Sequence, residues 1–173
     1  MKGYKNEMGE ASHRTPFLWR YPRKFEPRTI YEPKVQVSSI DIYATLAELI
    51  DYDLGCNEAP DSRSLVSYLE TGEASDEVKN KPIMTHAYTP GNTVAIRKNN
   101  MKYVPGVEEL FNVWFDPEEK NNLYNRENQA SYISFIDQYL KDWLEHVELR
   151  EEATRKGAEK ENCYPQFERF NSL

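Results

Sequence analysis

Residues 82–115 read PIMTHAYTPGNTVAIRKNNMKYVPGVEELFNVWF, short apolar runs separated by tight polar connections. That is the pattern of strands joined by hairpins. The runs place strands at Ile83 to Tyr88, Thr93 to Arg97, Met101 to Val104 and Leu110 to Phe115. Lys98-Asn99-Asn100 supplies turn chemistry between the second and third. Such short, closely connected strands predict a small antiparallel sheet.

On the carboxy-terminal side, Tyr132, Phe135, Ile136, Tyr139, Leu140, Trp143, Leu144 and Val147 recur at helical spacing. They predict a helix over 127–150 whose apolar stripe packs on the preceding sheet. From Glu148 to Glu161 the charges alternate and the stripe stops, as in a solvated helix end or a loose tail.

On the amino-terminal side, residues 38–54 predict a second helix. Ile40, Tyr43, Leu46, Leu49 and Ile50 form its inner face, Ser38 and Asp41 make an approximate capping box, and Gly55 ends it. A shorter helix follows from Ser62 to Leu69, with Leu65, Val66 and Leu69 inward and Thr71-Gly72-Glu73 closing it. Residues 1–36 are punctuated by Pro16, Pro22, Pro27 and Pro33. Between the first two, Phe17 to Tyr21 is a compact apolar run that reads as a buried strand. Arg23, Lys24 and Arg28 mark an exposed turn after it.

The chain has 173 residues, of which 39% are hydrophobic, enough to build a core. It has no apolar run of about 18 residues, so no membrane-spanning helix is read, and MKGYKNEMGE has no signal-peptide h-region. Residues 1–34 hold eight Lys/Arg and four Asp/Glu, whereas the other 139 hold 14 and 25. The acidic bulk argues against nucleic-acid binding. The basic start suits an anionic ligand, or is a solvated surface.

Cys56 and Cys163 are read as free thiols, on the rarity of disulfides in reducing compartments, although their spacing does not forbid a pair. There is no G-x-S-x-G, no H-E-x-x-H and no Gly-rich phosphate loop. His13, His86 and His146 read as structural or surface residues. Asp51 and Asp53 read as a helix end rather than metal ligands. Lys5 stands shortly before the run Phe17 to Tyr21. A compact ammonium there suits a tetrahedral oxyanion such as sulfate or phosphate. Periodicity and composition lead this far, to an α/β or α+β domain.

Five segments carry a resemblance. Lys5-x-x-x-x-Glu10-x-x-x-Arg14-Thr15-Pro16-Phe17 resembles the sulfatase segment in which a Lys precedes E-x-x-x-R-V-P, with Thr15 in place of Val. Ser39-Ile40-Asp41-Ile42-Tyr43-Ala44-Thr45-Leu46 is similar to V-D-L-Y-P-T-L, and Asp61-Ser62-Arg63-Ser64-Leu65 to D-G-R-S-L. Met101-Lys102-Tyr103-Val104 resembles K-Y-I, and Glu109 to Leu123 resembles E-L-Y-D-L-x-x-D-P-x-E-x-x-N-L. The five stand in the family's order over about residues 5–125. They are most similar to arylsulfatase-like and sulfoglucosamine sulfohydrolase-like enzymes.

The resemblance implies an α/β fold: the carboxy-terminal part of an alkaline-phosphatase-like sulfatase, with a small antiparallel sheet packed by a long helix. Residues 1–75 would close the catalytic domain, 76–150 would form the carboxy-terminal subdomain, and 151–173 a charged tail. Sulfatases use calcium and a formylglycine made from the Cys or Ser of C/S-x-P-x-R, whose hydrate attacks sulfur. By the resemblance, Lys5 contacts the sulfate group of a sulfated small molecule or glycan, and Arg14 supports the fold, through ion pairing.

The formylglycine motif and the metal-binding acidic pairs are expected before Lys5. Calcium and formylglycine are therefore expected only in a full-length protein, with neither held by this chain, which alone is expected to be inactive. The missing amino-terminal portion is a candidate partner, and no nucleic acid or membrane is expected. Cys163-Tyr164-Pro165-Gln166-Phe167 reads C-x-P-x-F, lacks the Arg, and is not taken as a modification site. The alternatives are a non-catalytic sulfatase-derived module binding sulfated glycans or a partner chain, and a phosphonate or phosphate ester hydrolase of the same superfamily. Family members are often secreted, lysosomal or periplasmic. With neither a signal peptide nor an N-x-S/T sequon, no compartment is read for this chain.

Overall fold

A computed structural model describes residues 1, 3–5, 7–31, 35–55, 58–87, 93–126 and 129–155. Cys56, Cys163 and the C-x-P-x-F stretch lie outside these. The chain groups into two compact units, one of Met1–Trp19 with Pro82–Leu140, the other of Arg20–Lys81 with Lys141–Leu173.

The first unit is built on a four-stranded antiparallel sheet of β1 (Ile83–Ala87), β2 (Thr93–Lys98), β3 (Met101–Val104) and β4 (Glu109–Asn112), in sequence order. Each strand falls where alternation and turn residues place it. The last strand is shorter than the sequence suggests. The Asn112 carbonyl accepts the Asp116 N–H at 2.8 Å, which turns the chain and leaves Trp114 and Phe115 exposed.

Partners across antiparallel strands share a face. The register Ile96↔Tyr103↔Leu110 defines one face, and Arg97↔Lys102↔Phe111 the other. The first face meets the long helix α5 (Ala130–Arg155), which groups with the sheet as far as Leu140. Ile136 is fully buried, the Lys98 ammonium stands 5.4 Å from the Phe135 ring centroid, and Tyr103 hydrogen-bonds Asp137. The packing of this helix on the sheet follows the expectation from its apolar stripe.

The second face is polar at its centre. Arg97 and Lys102 are direct cross-strand neighbours of like charge, an arrangement that destabilises a sheet unless it is compensated. Compensation comes from the amino-terminal segment with its short helix α1 (Glu10–His13) and from the loop after β4.

The second unit contains α2 (Asp41–Leu49), α3 (Val66–Thr71) and α4 (Asp76–Asn80). The first of these is where a helix is expected, but two details differ. It ends at Leu49, before Gly55, because Asp51 turns into the left-handed region at φ 55°. Its buried face is Asp41, Ala44, Thr45 and Ala47, whereas Ile40, Tyr43, Leu46 and Ile50 are exposed.

The inversion has a local cause. Asp41, Ala44 and Thr45 are bound to residues 62–65: the Ala44 N–H donates to Ser62 Oγ at 2.9 Å, the Arg63 N–H to Asp41 Oδ1 at 3.0 Å, and the Leu65 N–H to Thr45 Oγ1 at 3.0 Å. Small side chains permit that close approach. Leu65, Val66 and Leu69 are buried as expected, and Gly72 ends α3 at φ 78° with its N–H on the Tyr68 carbonyl at 2.9 Å.

Phe17 to Tyr21 is not a strand. A strand needs a neighbouring strand to pair with, and among the described residues the segment pairs with none; its Tyr21 carbonyl instead accepts the turn N–H groups of Lys24 and Phe25. Leu18 is 92% exposed. The turn at Arg23 and Lys24 is present, and Arg28 sits at φ 63°.

Candidate functional site

Lys5 lies in an exposed turn that precedes α1. The turn is closed on itself. The Glu7 N–H donates to the Tyr4 carbonyl at 3.0 Å, the Tyr4 N–H donates back to Glu7 Oε2 at 3.0 Å, and the Ser12 hydroxyl donates to the Tyr4 carbonyl at 2.5 Å. Gly3, at φ 121°, packs against Gly9 and Ser12 so tightly that a Cβ there would stand 2.7 Å from Ser12 Oγ and 2.9 Å from the Gly9 backbone. Only glycine fits both that angle and that space.

The turn is fastened to the polar face of the sheet by charges in alternation. Lys102, reaching up from β3, donates to the Met8 carbonyl and lies 2.5 Å from Glu119 Oε1. The Glu10 N–H donates to Glu119 Oε2 at 3.0 Å, and Glu10 Oε1 pairs with the Arg97 guanidinium at 2.8 Å. The Lys102 and Glu119 side chains are each 2% exposed, and Glu10 is fully buried. Such a cluster holds its parts in one arrangement, because a buried charge left without a partner is costly. Burial, then the positive charge of Lys102, holds the His13 imidazole below its ordinary pKa.

Glu119 is brought in by the loop after β4. The Asp116 carboxylate accepts the N–H groups of Lys120 at 3.1 Å and Asn121 at 2.7 Å, and Glu119 takes φ 55° inside that turn. Asn122 Oδ1 accepts the Leu110 N–H at 3.0 Å, and the Leu123 N–H reaches the Leu110 carbonyl at 2.7 Å, which closes the loop on the edge strand.

The sequence reads Lys5 as standing shortly before a buried strand, whereas the structure sets it on an exposed turn with no strand at Phe17 to Tyr21, over a charged group that the sequence hides. Glu10, Lys102 and Glu119 come from three separate segments of the resemblance, and charged residues are ordinarily read as surface. The available signal was their position inside those segments. Arg14 has an exposed side chain, and the ion pair made here by Glu10 is with Arg97. His86 is exposed, and Asp51 and Asp53 are exposed beyond the end of α2. Among the described residues, no group of three or more His, Cys, Asp or Glu is placed to hold a metal ion.

The chain is similar in sequence to part of a sulfatase, and its small sheet with the long helix shares the fold of part of two solved structures. Among curated proteins it is 29% identical, over 167 residues, to an N-acetylgalactosamine-6-O-sulfatase of Bacteroides thetaiotaomicron, in a match covering 86% of this chain and 30% of the relative. A protein solved in complex with its substrate D-glucosamine-2-N,6-O-disulfate shares the fold at a TM-score of 0.56 and 18% identity, over 73% of this chain and 27% of that one. A crystal structure of a B. thetaiotaomicron protein matches at 0.50 and 19% identity, over 74% and 30%. The chain thus spans less than a third of the length of each. No family model matches it.

Proposed function

We propose that this chain is the sulfate-facing carboxy-terminal part of a sulfuric ester hydrolase that hydrolyses a sulfate ester or sulfamate. In this reading Lys5 meets the sulfate oxygens, where a fixed ammonium stabilises charge that grows as the S–O bond breaks. Formylglycine and calcium belong to the remainder of the protein, which is also the partner this chain requires. Residues 1–75 complete the catalytic domain, 76–150 form the smaller subdomain, and 151–173 the tail. The ligand class is a sulfated sugar, in line with the named substrates of the curated relative and of the structure solved with a disulfated glucosamine.

The observation that supports this reading most is the presentation of Lys5 on a closed, anchored turn at the start of the segment that resembles a sulfatase. The test has two arms. The 173-residue chain and the product of the reading frame extended beyond Met1 are assayed on an aryl sulfate and an aryl phosphate. Turnover of aryl sulfate by the extended protein alone is expected. Turnover by the short chain, preference for the phosphate, or an extended frame without C/S-x-P-x-R would each overturn the proposal.

A further inference from the structure

We infer that Lys102 and Glu119 are positioning residues for Lys5. This rests on the reading of Lys5 as the sulfate contact and adds how that contact is held.

The path is continuous in the first unit. Lys102 is fixed in β3 by its register with Arg97 and Phe111. Its ammonium binds Glu119 on one side and the Met8 carbonyl on the other. Glu119 also accepts the first N–H of α1, from Glu10, whose carboxylate is held by Arg97. Met8 and Glu10 flank Gly9, and Gly9 is the surface on which Gly3 closes. Lys5 therefore sits in a turn whose far end is tied to the sheet through Met8 and Glu10 and whose near end, at Gly3 and Tyr4, is closed on Gly9 and Ser12. Long lysine side chains on free loops lose considerable freedom when they bind an anion. A turn closed and anchored in this way reduces that loss.

The probe is inorganic sulfate, titrated into the intact chain and followed by amide NMR shifts of residues 3–13. Lys5→Ala should abolish the response. Lys102→Met with Glu119→Gln removes both charges yet leaves an acceptor for the Glu10 N–H, while the donor to Met8 is lost. Sulfate affinity should fall about tenfold, equivalent to about 1.4 kcal/mol. Gly3→Ala disturbs the turn without touching the buried pair. It should lower affinity about fivefold, with hydrogen exchange of β3 and β4 unchanged, a separation that a merely structural role would not produce.

If Lys5→Ala leaves sulfate binding intact, the reading of Lys5 fails and the inference with it. If Lys5→Ala abolishes binding while Gly3→Ala and the double variant bind as the parent does, the reading of Lys5 stands and the positioning role is overturned. Should the double variant not fold, Glu119→Gln alone decides: it keeps the acceptor for the Glu10 N–H and removes the partner of Lys102, a loss of sulfate affinity is expected, and parent affinity overturns the positioning role.

Discussion

Lys81 donates its ammonium to the carboxylate of Asp41, the residue that opens α2. Asp41 also accepts the N–H groups of Ser38 and Arg63, each at 3.0 Å, and is almost wholly buried. One side chain thus ties the chain just ahead of α2, joins two segments of the resemblance, and pairs with the Lys81 ammonium, although the capping box expected of Ser38 is not formed, Ile40 being the cap residue. Burial lowers the pKa of Lys81, and Asp41 opposes that shift.

Removal of Asp41 should therefore be expensive. Asp41→Ala leaves an ammonium and two N–H groups without their acceptor, at a cost of about 3–5 kcal/mol. Adding Lys81→Met should recover part of the loss, since the uncompensated charge goes with it. Urea midpoints followed by far-ultraviolet circular dichroism check both. An unchanged midpoint for Asp41→Ala contradicts the role given to this carboxylate.

Acid should weaken the first unit through His13. Its imidazole is held below the ordinary value of 6.5, first by burial and then by Lys102. A depressed folded-state pKa means that the folded form resists protonation. The stabilisation is complete above 6.5 and is lost as pH falls through the lower, folded value. Hydrogen exchange of β3, compared at neutral pH and below 6, should show the loss in the parent and a smaller one in His13→Gln. Equal acid sensitivity in both would assign the effect elsewhere.

Gly72 carries the end of α3 at φ 78°. An alanine there adopts a left-handed conformation at a cost of about 1–2 kcal/mol. The space beside it is open, the nearest atom being Tyr31 Cε1 at 3.9 Å, so the loss should arise from the backbone rather than from a clash. Gly72→Ala and Gly72→Ser should then lower the urea midpoint alike. A much larger effect for serine would point to crowding.

The sheet was legible because alternation and turn chemistry are local signals. Met101 to Val104 ends where Pro105 ends it, and Thr93 begins β2 as read. The buried charges were not legible, because Lys102 looks like any surface lysine until Glu119 is folded back from a loop 17 residues on. Helix α2 was located correctly but faced wrongly. Its large apolar residues suggested the inside, yet Ala44, Thr45 and Ala47 allow the closer approach and Asp41 has its partners there. Hydrophobic periodicity finds a helix that must be covered. It does not say whether the cover comes from the same chain. Phe17 to Tyr21 misled for the same reason, being apolar enough for a strand that has no neighbour among the described residues.

That exposed face of α2 leads to a last expectation. Ile40, Tyr43, Leu46 and Ile50 are 45%, 52%, 48% and 72% exposed, and they recur at helical spacing. Single exposed apolar residues are ordinary, whereas four on one stripe make a contiguous patch of the kind that drives association. The 173-residue chain should therefore self-associate as its concentration rises, with a sedimentation coefficient that increases accordingly. Leu46→Glu with Ile50→Glu should suppress this and leave the urea midpoint within about 0.5 kcal/mol, the range of surface substitutions, because neither residue contributes to the buried face. Sedimentation of the parent that does not depend on concentration would show the stripe to be tolerated by water. A large stability loss in the double variant would show that these side chains are packed after all.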